Sequence, residues 1–170
     1  GPMPQKSLGG AFYFVSFVDN STRKVWAYPI KTKDRVFSIF SKWLTMVENQ
    51  SSWKLKCLRT DNGGEFKSEE FVRFCWERGI RREYTTPYSP EQNEIAKRMN
   101  WTIKERIFSM LHHVRLSNCF WAEALLTAMH IINTFPSTPL GLQIPQELWT
   151  GKWPDYGKLW IFRYDVYALI

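Results

Sequence analysis

Apolar positions along the chain follow two spacings, and the switches between them mark out most of the elements. Residues 11–19 carry apolar side chains on both alternating sets, Phe12, Phe14 and Val18 against Tyr13, Val15 and Phe17. That pattern predicts a strand covered on both faces. Before it, Lys6-Ser7-Leu8-Gly9-Gly10 reads as a tight turn; after it, Asn20-Ser21-Thr22-Arg23 and a second apolar run over residues 24–30 complete a hairpin. The spacing then becomes helical. Val36, Phe40, Trp43 and Val47, with Ile39 and Leu44 beside them, predict a helix capped at Thr32 and ending near Gln50. Residues 53–58 have the length of a buried strand and break into Thr60-Asp61-Asn62-Gly63-Gly64, where two glycines permit a sharp turn.

The second half is mostly helical. Ser68 caps a helix with Phe71, Phe74 and Cys75 inward, Gly79 ends it, and residues 80–84 form a short strand. Two prolines make residues 85–93 a loop. A long helix over residues 92–112 follows from Ile95, Met99, Ile103, Ile107 and Met110. Ser117 or Asn118 caps the next, which packs Phe120, Trp121, Leu125, Ala128 and Ile132 and stops before Pro136. Residues 144–149 give a short helix with proline at its first position, and residues 160–169 a closing strand. The order β-β-α-β-α-β-α-α, without repeats or linkers, predicts a single α/β domain over residues 1–170. Residues 1–2 read either as a protease-cleavage scar or as native chain.

Composition changes this picture in three places. Aromatic residues make up 16%, nine of them Trp, so much of the core is aromatic. Cys57, Cys75 and Cys119 cannot all pair and lack metal-ligand spacing. They read as reduced thiols, Cys57 and Cys75 buried, of an intracellular, nuclear or cytoplasmic protein rather than a secreted one. No apolar run is long enough to cross a bilayer, so no membrane partner is expected. The net charge of +7 and pI near 9.4 favour an anionic partner, most simply nucleic acid and DNA in particular.

Several strings occur in one order: Phe17-Val-Asp19, Ser21-Thr-Arg-Lys-Val-Trp26, Cys57-Leu-Arg-Thr-Asp-Asn-Gly-Gly-Glu-Phe66, Pro87-Tyr-Ser-Pro-Glu-Gln-Asn93, Phe120-Trp-Ala-Glu-Ala124 and Leu148-Trp-Thr-Gly151. Together they resemble the catalytic core of a copia-type retrotransposon integrase, over essentially the whole chain. The resemblance implies an RNase H-like mixed sheet flanked by helices. It also implies a central first strand, with the first catalytic Asp, upstream of Gly1-Pro2. In this sequence that strand is absent or incomplete, which would leave neighbouring strands with unpaired backbone groups.

The same resemblance implies metal-dependent cutting and joining of DNA. Three carboxylates would hold two divalent ions roughly 3.5–4 Å apart. Asp61 matches the second carboxylate. The third would follow after thirty-five intervening residues, where this sequence has Lys97; the string Gln92-Asn93-Glu94-Ile95-Ala96-Lys97-Arg98-Met99-Asn100 fixes the register. An ammonium cannot ligate Mg²⁺, and at about 4 Å in an effective dielectric near 20 it would attract Asp61 by about 4 kcal/mol before desolvation. An Asp61–Lys97 ion pair, or a close approach of the two groups, is therefore expected. Glu94, about 4.5 Å along the helix, is the one candidate to replace the lost ligand. Asp61 alone would hold metal weakly if at all, so no cofactor is expected, with Mg or Mn needed only if catalysis survives.

Three functions fit these residues. The first is an inactive integrase core that still binds nucleic acid, with Lys97, Arg98, Trp101, Lys104 and Arg106 on the long helix and Arg81 and Arg82 nearby as contacts. An ordinary solvated helix face explains the same charges. The second is an interaction module, a homodimer or a partner of an integrase-like protein, using exposed Trp53, Trp101 or Trp153. The third is a fragment of an active enzyme.

Overall fold

The computed structural model describes residues 1–61, 63–85, 94–158 and 162. Strands β1 (Tyr13–Val18) and β2 (Val25–Ile30) form an antiparallel hairpin with Val18 opposite Val25 and Val15 opposite Tyr28. Helix α1 (Val36–Ser51) leads to β3 (Cys57–Thr60), helix α2 (Glu69–Glu77) and β4 (Arg81–Tyr84), which lies parallel to β3. Helices α3 (Glu94–His113), α4 (Trp121–Thr134) and α5 (Pro145–Thr150) follow. The predicted strand at residues 160–169 lies outside the described residues, apart from residue 162, as does most of the loop at residues 85–93.

The hairpin separates two cores, as its two-sided apolar pattern requires. Phe14 and Val18, with Val25 and Ala27, pack towards Ile103, Ile107 and Leu111 of α3 and Trp121, Ala124, Leu125 and Ala128 of α4. The alternate residues Val15, Phe17, Trp26 and Tyr28 face Phe40, Trp43 and Leu44 of α1 and Phe71 and Cys75 of α2. This second core is aromatic: Phe17 stacks on Trp43 at 4.4 Å, and Phe40 on Phe71 at 4.9 Å. Such ring pairs add about 0.5–1.5 kcal/mol each beyond burial.

Helix α4 closes the outer edge of β2. The Val25 N–H donates to Asn133 Oδ1 at 2.9 Å, and Asn133 Nδ2 donates back to the Val25 carbonyl at 2.8 Å. The Ala27 N–H meets Met129 Sδ at 2.7 Å. Pro29, next in that alternation, has no N–H to satisfy, so proline suits this edge.

Among the described residues the four strands stand as two sheets of two rather than as one mixed sheet. Strand β3 begins later than its apolar pattern suggests, at Cys57 instead of Trp53. The cause is Glu48, which accepts the Leu55 N–H at 3.1 Å and pairs with Lys54 at 3.1 Å and Arg78 at 3.4 Å, holding residues 54–55 against the end of α1. Cys75 is buried as expected, whereas Cys57, on this edge, is half-buried. No helix among the described residues is long and apolar enough to cross a membrane.

Candidate functional site

Strand β3 delivers Asp61 to the surface just past buried Thr60. The Gly63 N–H donates to Asp61 Oδ1 at 3.1 Å, closing an Asx-type turn. A side chain at Gly63 would place its Cβ 2.8 Å from the Glu65 carboxyl group and 2.9 Å from Asp61 Oδ1. A side chain here would have to push the Asp61 or Glu65 carboxylate away from the turn. Glu65 is held from outside by Lys33 at 3.2 Å. From below, Arg82 donates to the Phe66 carbonyl, tying the turn to β4.

Asp61, Glu94 and Lys97 make no ion pair or hydrogen bond with one another. Glu94, in the first turn of α3, is paired with Arg98 one helical turn on. Lys97 is exposed and has no carboxylate partner among the described residues. The expected Asp61–Lys97 ion pair does not form. Asp61 is engaged by the turn amide, both side chains are open to water, and an exposed pair of this kind gains only about 0–1 kcal/mol. What fixes α3 lies on its other side, where Ile103, Ile107 and Leu111 are fully buried and Asn100 Oδ1 accepts from Ser16 Oγ of β1 at 2.6 Å.

The arginines of β4 are engaged locally. Arg81 pairs with Glu83 at 2.8 Å, and Arg59 of β3 reaches the other oxygen of that carboxylate at 2.8 Å. The Arg59 hydrogen bond first, then Cys57 and Arg81, hold Glu83 below the usual carboxylate range. Arg82 is half-buried, its guanidinium 5.3 Å from the Phe71 ring and 4.8 Å from Tyr84. On α3 the arrangement is open. Trp101 is 65% exposed, Lys104 is half-buried, and Arg106 is exposed.

These features sit in an integrase frame. The integrase core domain family matches residues 2–90, more than half of the chain. The chain belongs to the integrase core family. It is 47% identical over 99% of its length to the retrovirus-related Pol polyprotein from transposon TNT 1-94 of Nicotiana tabacum. It is 33% identical over 94% to the corresponding polyprotein from transposon RE2, and 32% over 88% to that from RE1, both of Arabidopsis thaliana. It spans 13%, 11% and 10% of those three proteins. Among solved structures, a simian T-cell lymphotropic virus intasome in complex with a PP2A regulatory subunit superposes with TM-score 0.69 at 19% identity, covering 99% of this chain and 58% of that one. The HTLV-2 integrase catalytic core domain in complex with magnesium, in a trimeric form, gives 0.62 at 19% identity over 80% of this chain and 83% of that one. The fold is RNase H-like, and the resemblance read from the motifs holds at the level of a retrotransposon integrase core.

A magnesium-bound relative raises the question of metal in this integrase core. Among the described residues the Asp61 turn offers two carboxylates, fewer than the three implied for a two-metal centre. Asp61 and Glu65 are the two acids at the turn, Asp61 accepting from an amide and Glu65 paired with Lys33, while the position expected to supply the third is Lys97. No group of three metal-ligating side chains comes together among the described residues.

Two features escaped the sequence pattern. Val72 and Trp76, one turn apart on α2, are 44% and 81% exposed, and their offset from the buried Phe71–Cys75 stripe could have signalled it. Lys24 had no such signal. It is buried, donates from Nζ to Gln146 Oε1 of α5, and lies 5.5 Å from the Trp26 ring and 5.9 Å from Trp149. Burial pushes its ammonium down to about 8.

Proposed function

We propose that this integrase core-like domain binds nucleic acid through the exposed face of α3 and does not by itself catalyse DNA strand transfer. The observation that carries this reading is Lys97. A cation stands, exposed and without a carboxylate partner among the described residues, at the position the motif register assigns to an acidic metal ligand. Two-metal catalysis depends on hard oxygen ligands around both ions, and removing a ligand abolishes the reaction rather than tuning it. The nearby carboxylate of Glu94 is engaged by Arg98, which disfavours it as a replacement. Net charge of +7, with Lys97, Lys104 and Arg106 along one helix, supports attraction to a phosphate backbone.

Calorimetric titration of Mn²⁺, run beside a plasmid-nicking assay, tests the first half of this reading. The unmodified chain is expected to give neither saturable heat nor nicking, and Lys97→Glu to gain Mn²⁺ affinity. Metal-dependent nicking or tight Mn²⁺ binding by the unmodified chain would overturn it. Fluorescence anisotropy with duplex DNA across a salt series tests the second half, where affinity should fall linearly on a log–log plot.

A second reading has its own observation. Trp53, Trp76 and Trp153 are 78%, 81% and 72% exposed. The related integrases occur in an intasome and in a trimeric form. A self-associating or partner-binding module would use these indoles, and light scattering with and without DNA separates the two readings.

A further inference from the structure

Helix α3 shows one large aromatic side chain to water. Trp101 is 65% exposed, although Ile103, Ile107 and Leu111 of the same helix are fully buried. Burying an indole is among the larger gains available to a side chain, so an open one is held ready for a flat apolar surface. Helical spacing surrounds it with Lys97 and Arg98 on one side and Lys104 and Glu105 on the other. Arg98 is paired with Glu94, while Lys97 and Lys104 have no carboxylate partner among the described residues. Those two lysines lie seven residues apart, about 10.5 Å along the axis, and flank the indole on the same side. Glu105 is the one acid in that ring of four. A ring system set between two lysines matches one ligand chemistry well: a base with a free π-face, joined to phosphates on either side. A paired duplex hides the faces of its internal bases, so it would leave Trp101 without a partner.

We propose that Trp101 stacks on an unpaired nucleobase while Lys97 and Lys104 take flanking phosphates, so that the α3 face selects single-stranded nucleic acid, as at a frayed duplex end. This rests on the nucleic-acid reading above and names the form of nucleic acid that the site takes.

The test compares two labelled DNA duplexes with the same short single-stranded overhang, one bearing bases and one built of abasic sites, by fluorescence anisotropy with the full 170-residue chain. Phosphates are equal in the two, so only stacking differs. The base-bearing overhang should bind roughly 5- to 150-fold more tightly, the range expected for one stacked base. Trp101→Ala should erase that preference and Trp101→Phe should keep most of it. Lys97→Glu should weaken binding to both duplexes by the same factor. Equal binding of the two duplexes by the unmodified chain, or a preference that survives Trp101→Ala, overturns the proposal while leaving nucleic-acid binding in place. Failure of both duplexes to bind at low salt would remove the nucleic-acid reading itself, and the proposal with it.

Discussion

The basic residues of β4 and those of α3 look equivalent in the sequence, yet the fold puts them to opposite uses. On β4, Arg81 is bound to Glu83, and Arg82 is drawn under the Asp61 turn, where it caps the Phe66 carbonyl and lies against Phe71 and Tyr84. On α3, Lys97 and Lys104 stand beside an open indole with no carboxylate partner among the described residues. The lesson is that a count of cations overstates a binding surface. Arg81 is held by a carboxylate, and Arg82 by a backbone carbonyl and two aromatic rings, with its Nε left without a hydrogen-bond partner among the described residues. Lys97 and Lys104, with no carboxylate partner among the described residues, remain available.

The comparison can be broken most directly on α3. Reversing both charges, Lys97→Glu with Lys104→Glu, should lower DNA affinity by about a hundredfold at low salt and flatten the salt slope by about two, without moving the urea midpoint. Arg82→Ala should do the reverse. It removes a buried hydrogen bond and two cation–ring contacts, so it should lower stability by about 1–3 kcal/mol in urea titration and leave DNA affinity nearly unchanged. Parity between these two variants in a binding assay would dissolve the distinction.

Lys24 extends the contrast to a cation with no ion-pair role. Its folded pKa lies near 8, against an ordinary 10.5, so the unfolded chain binds more protons between those values. Stability should therefore rise with pH across that window, and Lys24→Met should flatten the rise; urea midpoints at a series of pH values, compared between the two proteins, isolate the effect. The smallest change is expected from Arg81→Ala on the exposed edge of β4. It should shift stability within about 0.5 kcal/mol and DNA affinity less than about twofold.

Local signals in the sequence account for most of the elements. The two-sided pattern of residues 13–18 anticipated the double core, and the Ser68 hydroxyl accepts the Phe71 N–H at 3.3 Å as a capping serine should. Gly79, at φ +67°, ends α2 as expected. Other expectations missed because they depended on distant partners. Thr32 makes no capping bond from its side chain, since a 3₁₀ turn at Lys33–Arg35 intervenes before α1. The start of β3 shifted because Glu48, several residues back on α1, takes the Leu55 amide.

The sequence by itself determined the hairpin, the helical stripes and the integrase frame, because each is written in spacing or in residue identity. Only the tertiary structure decided which charges are available. It sealed the edge of β2 with Asn133 and Met129, buried Lys24 beneath two indoles, committed Arg82 to the Asp61 turn, and left Asp61 and Lys97 without an ion pair between them. The physical reason is that an ionic side chain's role depends on which acceptors, rings and water lie within a few ångströms of its tip, and in a folded chain those neighbours come from far along the sequence.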